Sequence, residues 1–83
     1  MPLTRLYRAR KKTVGSKQTL KAIQRGQAKV VYLALNAEKK VTDPIQEACL
    51  MKKVPVVQVE TMLMLGRACG IEVGCASAAI IED

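Results

Sequence analysis

Residues Ala28-Lys29-Val30-Val31-Tyr32-Leu33-Ala34-Leu35 form an almost unbroken apolar run rich in β-branched side chains. A strand with one wet face alternates apolar and polar residues, so a run without alternation has both faces covered. Helices must therefore lie on both sides of the sheet that holds this strand, and the flanking sequence supplies them.

Upstream, the spacing predicts a helix over 16–25, with Ser16 as N-cap after Gly15 and Gly26 as the residue that ends it. Downstream, 36–42 reads as a polar loop, and Asp43 as N-cap, Pro44 in the first turn and Gln46 two residues later open a helix to about Lys53. Its apolar line is Ile45, Ala48 and Cys49. Residues 55–59 form a short strand, Thr61 caps a helix over 62–69 that stops at Gly70, 71–74 is a loop and 75–81 the last strand. At the start, residues 1–11 fit either a short basic helix or a loose arm, and 11–14 a short edge strand with its lysines in water. Strands alternating with helices on this scale give an α/β fold, a three-layer α/β/α sandwich in a single domain spanning 1–83. With no Trp or Phe and two tyrosines, its core is aliphatic.

The net charge of +7 is unevenly placed. Residues 1–37 carry nine cations (Arg5, Arg8, Arg10, Lys11, Lys12, Lys17, Lys21, Arg25 and Lys29) and no acid, whereas 38–83 carry five cations against all seven acids. A polyanion is expected to meet the first half. The basic stretch has no Trp, Phe or dense Leu face to enter lipid, and the longest nearly apolar run, 73–81, is too short to span a bilayer. The expectation is nucleic acid rather than membrane, in the cytoplasm.

Catalytic constellations are missing. There is no histidine, so Cys49, Cys69 and Cys75 have no Cys/His metal cluster to join and read as buried reduced thiols; neither metal nor cofactor is expected. Gly15-Ser16-Lys17 has only the second glycine of a phosphate-binding Walker loop. Asp43 and Glu47, four apart near a helix start, complement its dipole. The chain reads as a non-enzyme, and two tyrosines are too few for a single-strand stacking platform. Structured RNA read by shape and exposed base edges remains.

The segment from Gly15 to Gly26 fits that partner. Lys17, Lys21 and Arg25 recur every four residues and form one stripe, while Leu20 and Ile23 point to a core. The first backbone N–H groups of the helix face outward with the positive dipole end behind them, a place for phosphate. A solvated surface helix is the competing reading of the same lysines.

Several ordered motifs carry a resemblance. Gly15-Ser16-Lys17-Gln18-Thr19-Leu20-Lys21, then Gly26-x-Ala28-Lys29-Val30-Val31, then Leu65-Gly66-x-Ala68-Cys69-Gly70, and Ala79-Ile80-Ile81 together resemble the kink-turn-binding ribosomal protein family of L-seven-Ae and L-thirty-e type. The likeness covers about 12–82 and is greatest to small bacterial members of the YbxF kind. It implies a mixed four-stranded sheet between helices, acting as a monomer on RNA bent at a bulge followed by tandem sheared G·A pairs, in ribosomal RNA, a messenger leader or the ribosome. It also implies roles. Gly15, Ser16, Lys17 and Gln18 enter the distorted groove, with Lys17 and Gln18 facing guanine O6 and N7, and Lys21 and Arg25 hold phosphates. Asn36, Ala37 and Glu38 form a second contact loop, and Ile71, Glu72 and Val73 a third, with Ile71 and Val73 packing on an extruded base. For those two, burial at the start of the last strand is the alternative. The chain departs from the archaeal pattern with Lys17-Gln18 in place of Asn-Glu and Met62 in place of a lysine. The Met62-Leu63-Met64-Leu65 run is expected to leave one or two side chains exposed, and would be the surface of a protein-docking module of the same fold with little kink-turn selectivity.

Overall fold

The computed structural model describes residues 3–83, so the N-terminal expectation for Met1 and Pro2 falls outside it. The elements in chain order are α1 (Leu3–Arg8), β1 (Lys11–Val14), α2 (Ser16–Gln24), β2 (Val30–Ala34), α3 (Lys39–Lys52), β3 (Val56–Val59), α4 (Met62–Ala68) and β4 (Ser77–Glu82). Every residue of β2 is buried, as the unbroken apolar run requires. Its side chains alternate between two cores. Val30, Tyr32 and Ala34 face Leu6 of α1 and Leu65 and Ala68 of α4, whereas Val31 and Leu33 face Ile23 of α2 and Ile45 and Cys49 of α3. The result is the expected α/β/α sandwich around a mixed sheet of order β1-β4-β2-β3, in which only β2 and β3 run parallel.

The N-terminal segment is a docked helix rather than a loose arm. A six-residue helix has little stability alone, but Leu6 is fully buried, and burying a leucine contributes roughly 1.5–3 kcal/mol. Arg5 Nε donates to Asp83 at 2.9 Å and holds the other side of α1 to the end of β4. Lys12 corrects the expectation that the β1 lysines stand in water. Its ammonium donates to the carbonyls of Leu6 and Tyr7, both at 3.0 Å, and closes the C-terminal end of α1. Lys11 is exposed, as expected.

Two helix starts also differ from expectation. The N-cap of α2 is Gly15, not Ser16, which is already the first helical residue. α3 begins at Lys39 after Glu38, four residues before the Asp43 cap read from the sequence, and Pro44 lies inside it. Pro44 cannot donate to the Lys40 carbonyl one turn back, and Lys40 is exposed, so water can serve that oxygen. Thr42 is buried in line with Ile45 and Cys49, which draws the extra turn onto the core. The last strand begins at Ser77 rather than Cys75, and Leu35 lies beyond β2 and is exposed. Thr61 caps α4 as expected, its Oγ1 accepting from the Met64 N–H at 3.1 Å.

Strand register brings four chain ends to one edge of the sheet. Val14 lies opposite Ala78, Leu33 opposite Ser77 and Ala34 opposite Val59. The turns leaving β1, β2 and β3 and the loop entering β4 therefore meet there. Two glycines at this edge are required for different reasons. Gly15 has φ +97° and ψ 156° with open space around an added Cβ, so torsion alone demands glycine. Gly66 lies against the 70–74 loop, where an added Cβ would overlap the Val73 carbonyl. Gly15→Ala should cost about 1–3 kcal/mol through backbone strain. Gly66→Ala should cost at least about 1–3 kcal/mol because the obstructing atom is backbone. Urea unfolding of both variants checks this, and a Gly66→Ala midpoint equal to that of the parent would contradict the packing described.

Candidate nucleic-acid interface

At the shared edge, the Gly15 N–H donates to the Ser77 carbonyl at 2.9 Å and the Gly15 carbonyl accepts from Thr19 at 3.0 Å, so one residue ends the β1 ladder and begins α2. Two hydroxyl pairs fasten the helix start to the sheet, Thr13 with Thr19 at 2.9 Å and Ser77 with Ser16 at 3.2 Å. Each is worth about 0.5–1.5 kcal/mol. Ser16 is thus turned to the protein. Lys17 and Gln18 are exposed on the first turn, and Gly15 supplies no side chain to cap the free N–H groups.

From this turn a cleft of about 270 Å³ runs between β1 and α2, lined by Lys11, Gln18, Lys21, Arg25 and Gln27 among others. The structure thereby brings Gln18, Lys21 and Arg25 together and adds Lys11, which the sequence reading left as a solvated edge lysine. Lys17 stands at the cleft's helix-start end without lining it. Three side-by-side cations beside open N–H groups form a surface for polyanion backbone.

The second loop is built around Asn36. Its Oδ1 accepts from the Met62 N–H at 2.8 Å and so ties the turn after β2 to the start of α4. Ala37 is half-buried against the α1/α4 core, and Glu38 is the exposed N-cap of α3. The third segment wraps α4. The Ile71 N–H donates to Gly66 O at 3.0 Å and the Cys75 N–H to Met62 O at 3.1 Å. Ile71 packs on the core, whereas Val73 is 67% exposed, and neither belongs to β4. Glu72 is exposed. Met62 lies between the second and third segments, held by Asn36 and against Gly74. Sequence reasoning named Met62 as a departure from the archaeal pattern and as part of the apolar 62–65 run; its position depends on the long-range bond to Asn36.

All three cysteines are free and buried, Cys69 and Cys75 in the α1/α4 core and Cys49 in the α2/α3 core. The Cys69 thiol nearby lowers the Cys75 pKa against the opposing effect of burial, and the Gly15 N–H lowers it further. The Cys75 thiol and burial push the Cys69 thiol up. Leu63 and Met64 are exposed on α4, as expected for that run. Among the described residues no group of acids and thiols is arranged to hold a metal ion, and no helix is long and apolar enough to cross a membrane.

Comparison with known proteins identifies the family. The family model described as "Ribosomal protein L7Ae/L30e/S12e/Gadd45 family" matches residues 3–83. RNA-binding protein TTE2299 of Caldanaerobacter subterraneus subsp. tengcongensis is 49% identical over 69 residues, covering 83% of this chain and 84% of the relative. RNA-binding protein YbxF of Geobacillus stearothermophilus is 36% identical over 82 residues, covering 99% of this chain and 100% of the relative. Among solved structures, the Giardia lamblia 15.5kD RNA binding protein superposes with a TM-score of 0.88 at 28% identity, covering 99% of this chain and 72% of that one. Matched by the family over 3–83 and by relatives across nearly its whole length, the chain belongs to the ribosomal protein L7Ae/L30e/S12e/Gadd45 family.

Proposed function

We propose that the protein is a non-enzymatic, monomeric RNA-binding protein of the cytoplasm that captures kink-turns, in ribosomal RNA, the ribosome or a structured messenger leader. The observation that carries this reading is the α2 start. An uncapped first turn bearing Lys17 and Gln18 opens at the edge where the Asn36–Glu38 and Ile71–Val73 segments also arrive. Relatives named as RNA-binding proteins span the same residues.

In this reading Lys17 and Gln18 donate to the guanine edges that tandem sheared G·A pairs expose, contacts that regular A-form RNA hides. Lys21, Arg25 and Lys11 line the neighbouring cleft and take the phosphates of one strand. Val73, with Met62 beside it and Ile71 below, offers an apolar surface to the base thrown out of the bulge. Asn36, Ala37 and Glu38 border that surface. Gly15 and Ser16 act through the backbone, by holding the turn open and fixed. The protein-docking alternative would instead use exposed Leu63 and Met64.

A kink-turn RNA is compared with the same RNA whose G·A pairs are changed to Watson–Crick pairs. Strong preference for the kink-turn is expected, and equal weak binding would favour the docking alternative. Lys17→Ala should lose about 1–3 kcal/mol of the discrimination between the two RNAs. Parent-like discrimination by that variant would remove Lys17 from base reading. Lys21→Ala should weaken both RNAs alike and lower the slope of log K against log salt by about one. An unchanged slope would exclude Lys21 from the phosphate contacts.

A further inference from the structure

The N-terminal cations separate into two sets. Arg5 and Lys12 are engaged within the protein: Arg5 Nε and Nη2 donate to the Asp83 carboxylate at 2.9 and 3.1 Å, and the Lys12 ammonium donates to the Leu6 and Tyr7 carbonyls. Lys29 lies 3.8 Å from the same Asp83 carboxylate. Arg8, Arg10 and Lys11 are exposed. Among the described residues neither Arg8 nor Lys11 pairs with an acid. Arg10 has a 3.8 Å contact with Glu82, between side chains that are 78% and 57% exposed. A pair so open to water contributes little, and a phosphate can replace the carboxylate.

The open set stands at one end of the cleft between β1 and α2. β1 is an outer strand of the sheet, and α2 runs back beside it, so Arg25 and Lys11 line the cleft together at the end away from Gly15. Arg10 carries the chain outward from Lys11, its N–H donating to the Asp83 carbonyl at 3.2 Å. Arg8 ends α1 two residues earlier, and the Lys12 bonds hold that end of α1 to β1. From Gly15 to Arg10 the extended chain covers roughly 17 Å, at about 3.3 Å per residue.

We infer that Arg8 and Arg10 extend the phosphate-binding surface beyond the cleft, so that the protein grips one of the two stems flanking the kink and favours RNAs in which that stem is long. The inference rests on the RNA-binding reading above. A duplex strand advances about 3 Å per nucleotide, so the surface from Gly15 to Arg10 matches roughly five base pairs. A shorter stem meets Lys17 and Lys21 but ends before the two arginines. Contacts at the α2 start fix where the RNA begins, and Arg8 and Arg10 add attraction that depends on the length of the stem and not on its sequence.

The test uses a kink-turn RNA with stems of about ten base pairs, and versions with one stem or the other cut to about three, titrated over a range of salt. The proteins are the parent, the Arg8→Ala/Arg10→Ala pair and the Arg8→Lys/Arg10→Lys pair, with urea unfolding to verify that each folds. On the long-stemmed RNA the alanine pair should bind about tenfold more weakly than the parent, with a slope of log K against log salt lower by about two, while the lysine pair stays near the parent. Cutting one stem should abolish the difference between parent and alanine pair, and cutting the other should leave it. Parent-like binding of the long-stemmed RNA by the alanine pair would overturn the inference, and so would a loss that is the same whichever stem is cut. If the parent fails to distinguish the kink-turn from its Watson–Crick-paired control, the kink-turn reading fails. The same slopes on plain duplexes of about three and about ten base pairs then still decide the role of the two arginines.

Discussion

The hydrogen bond from the Gly15 N–H to the Ser77 carbonyl is the hinge on which the candidate site depends. It extends the β1 ladder one step past Val14, and the chain can turn into α2 immediately afterwards only through a backbone conformation open to glycine. The Thr13–Thr19 and Ser16–Ser77 hydroxyl pairs then leave the first turn of α2 no freedom to tilt. Behind it the sheet is stiff because β2 is buried on both faces. An uncapped helix start is thus presented already in place. A partner that binds it need not order it, and that ordering is one of the larger costs of association.

Much of this was legible in the sequence because the signals are local. The unbroken run ending at Leu35 demanded two covering layers, Gly26 and Gly70 ended helices, and Thr61 capped one. The errors share another cause. Asp43-Pro44 is a strong local start signal, yet Thr42 just before it is buried one turn ahead of Ile45, and a threonine near lysines does not stand out as core. Lys12 reads as an edge lysine because the carbonyls it closes belong to α1, whose docking rests on Leu6 and the bond to Asp83. Of the site, Gly15 to Arg25 was visible as a periodic stripe, and the two loops only through the family resemblance. Their meeting was not, because strand order is set by pairing between segments far apart in the chain.

The order β1-β4-β2-β3 has a consequence for how charge is used. Placing β4 between β1 and β2 sets the entry loop of β4 between the α2 start and the turn after β2. The cations of β1 and α2 then lie to one side of Gly15, and Val73 with Met62 to the other. The two sides act by different physics. In the proposed RNA reading, phosphate neutralisation by Lys11, Lys21 and Arg25 weakens steeply as salt rises, whereas burial of apolar surface on Val73 is nearly indifferent to it.

Met62 sharpens that division. The related archaeal pattern carries a lysine at this position, which would place a cation on the apolar side. Here the Asn36 Oδ1 accepts from the Met62 backbone, so the residue is fixed whichever side chain it bears. The methionine packs against the α1/α4 core and Gly74 in place of charge. In the proposed RNA reading, the cations of the β1–α2 cleft hold the RNA backbone, while exposed Val73 offers apolar cover to a base.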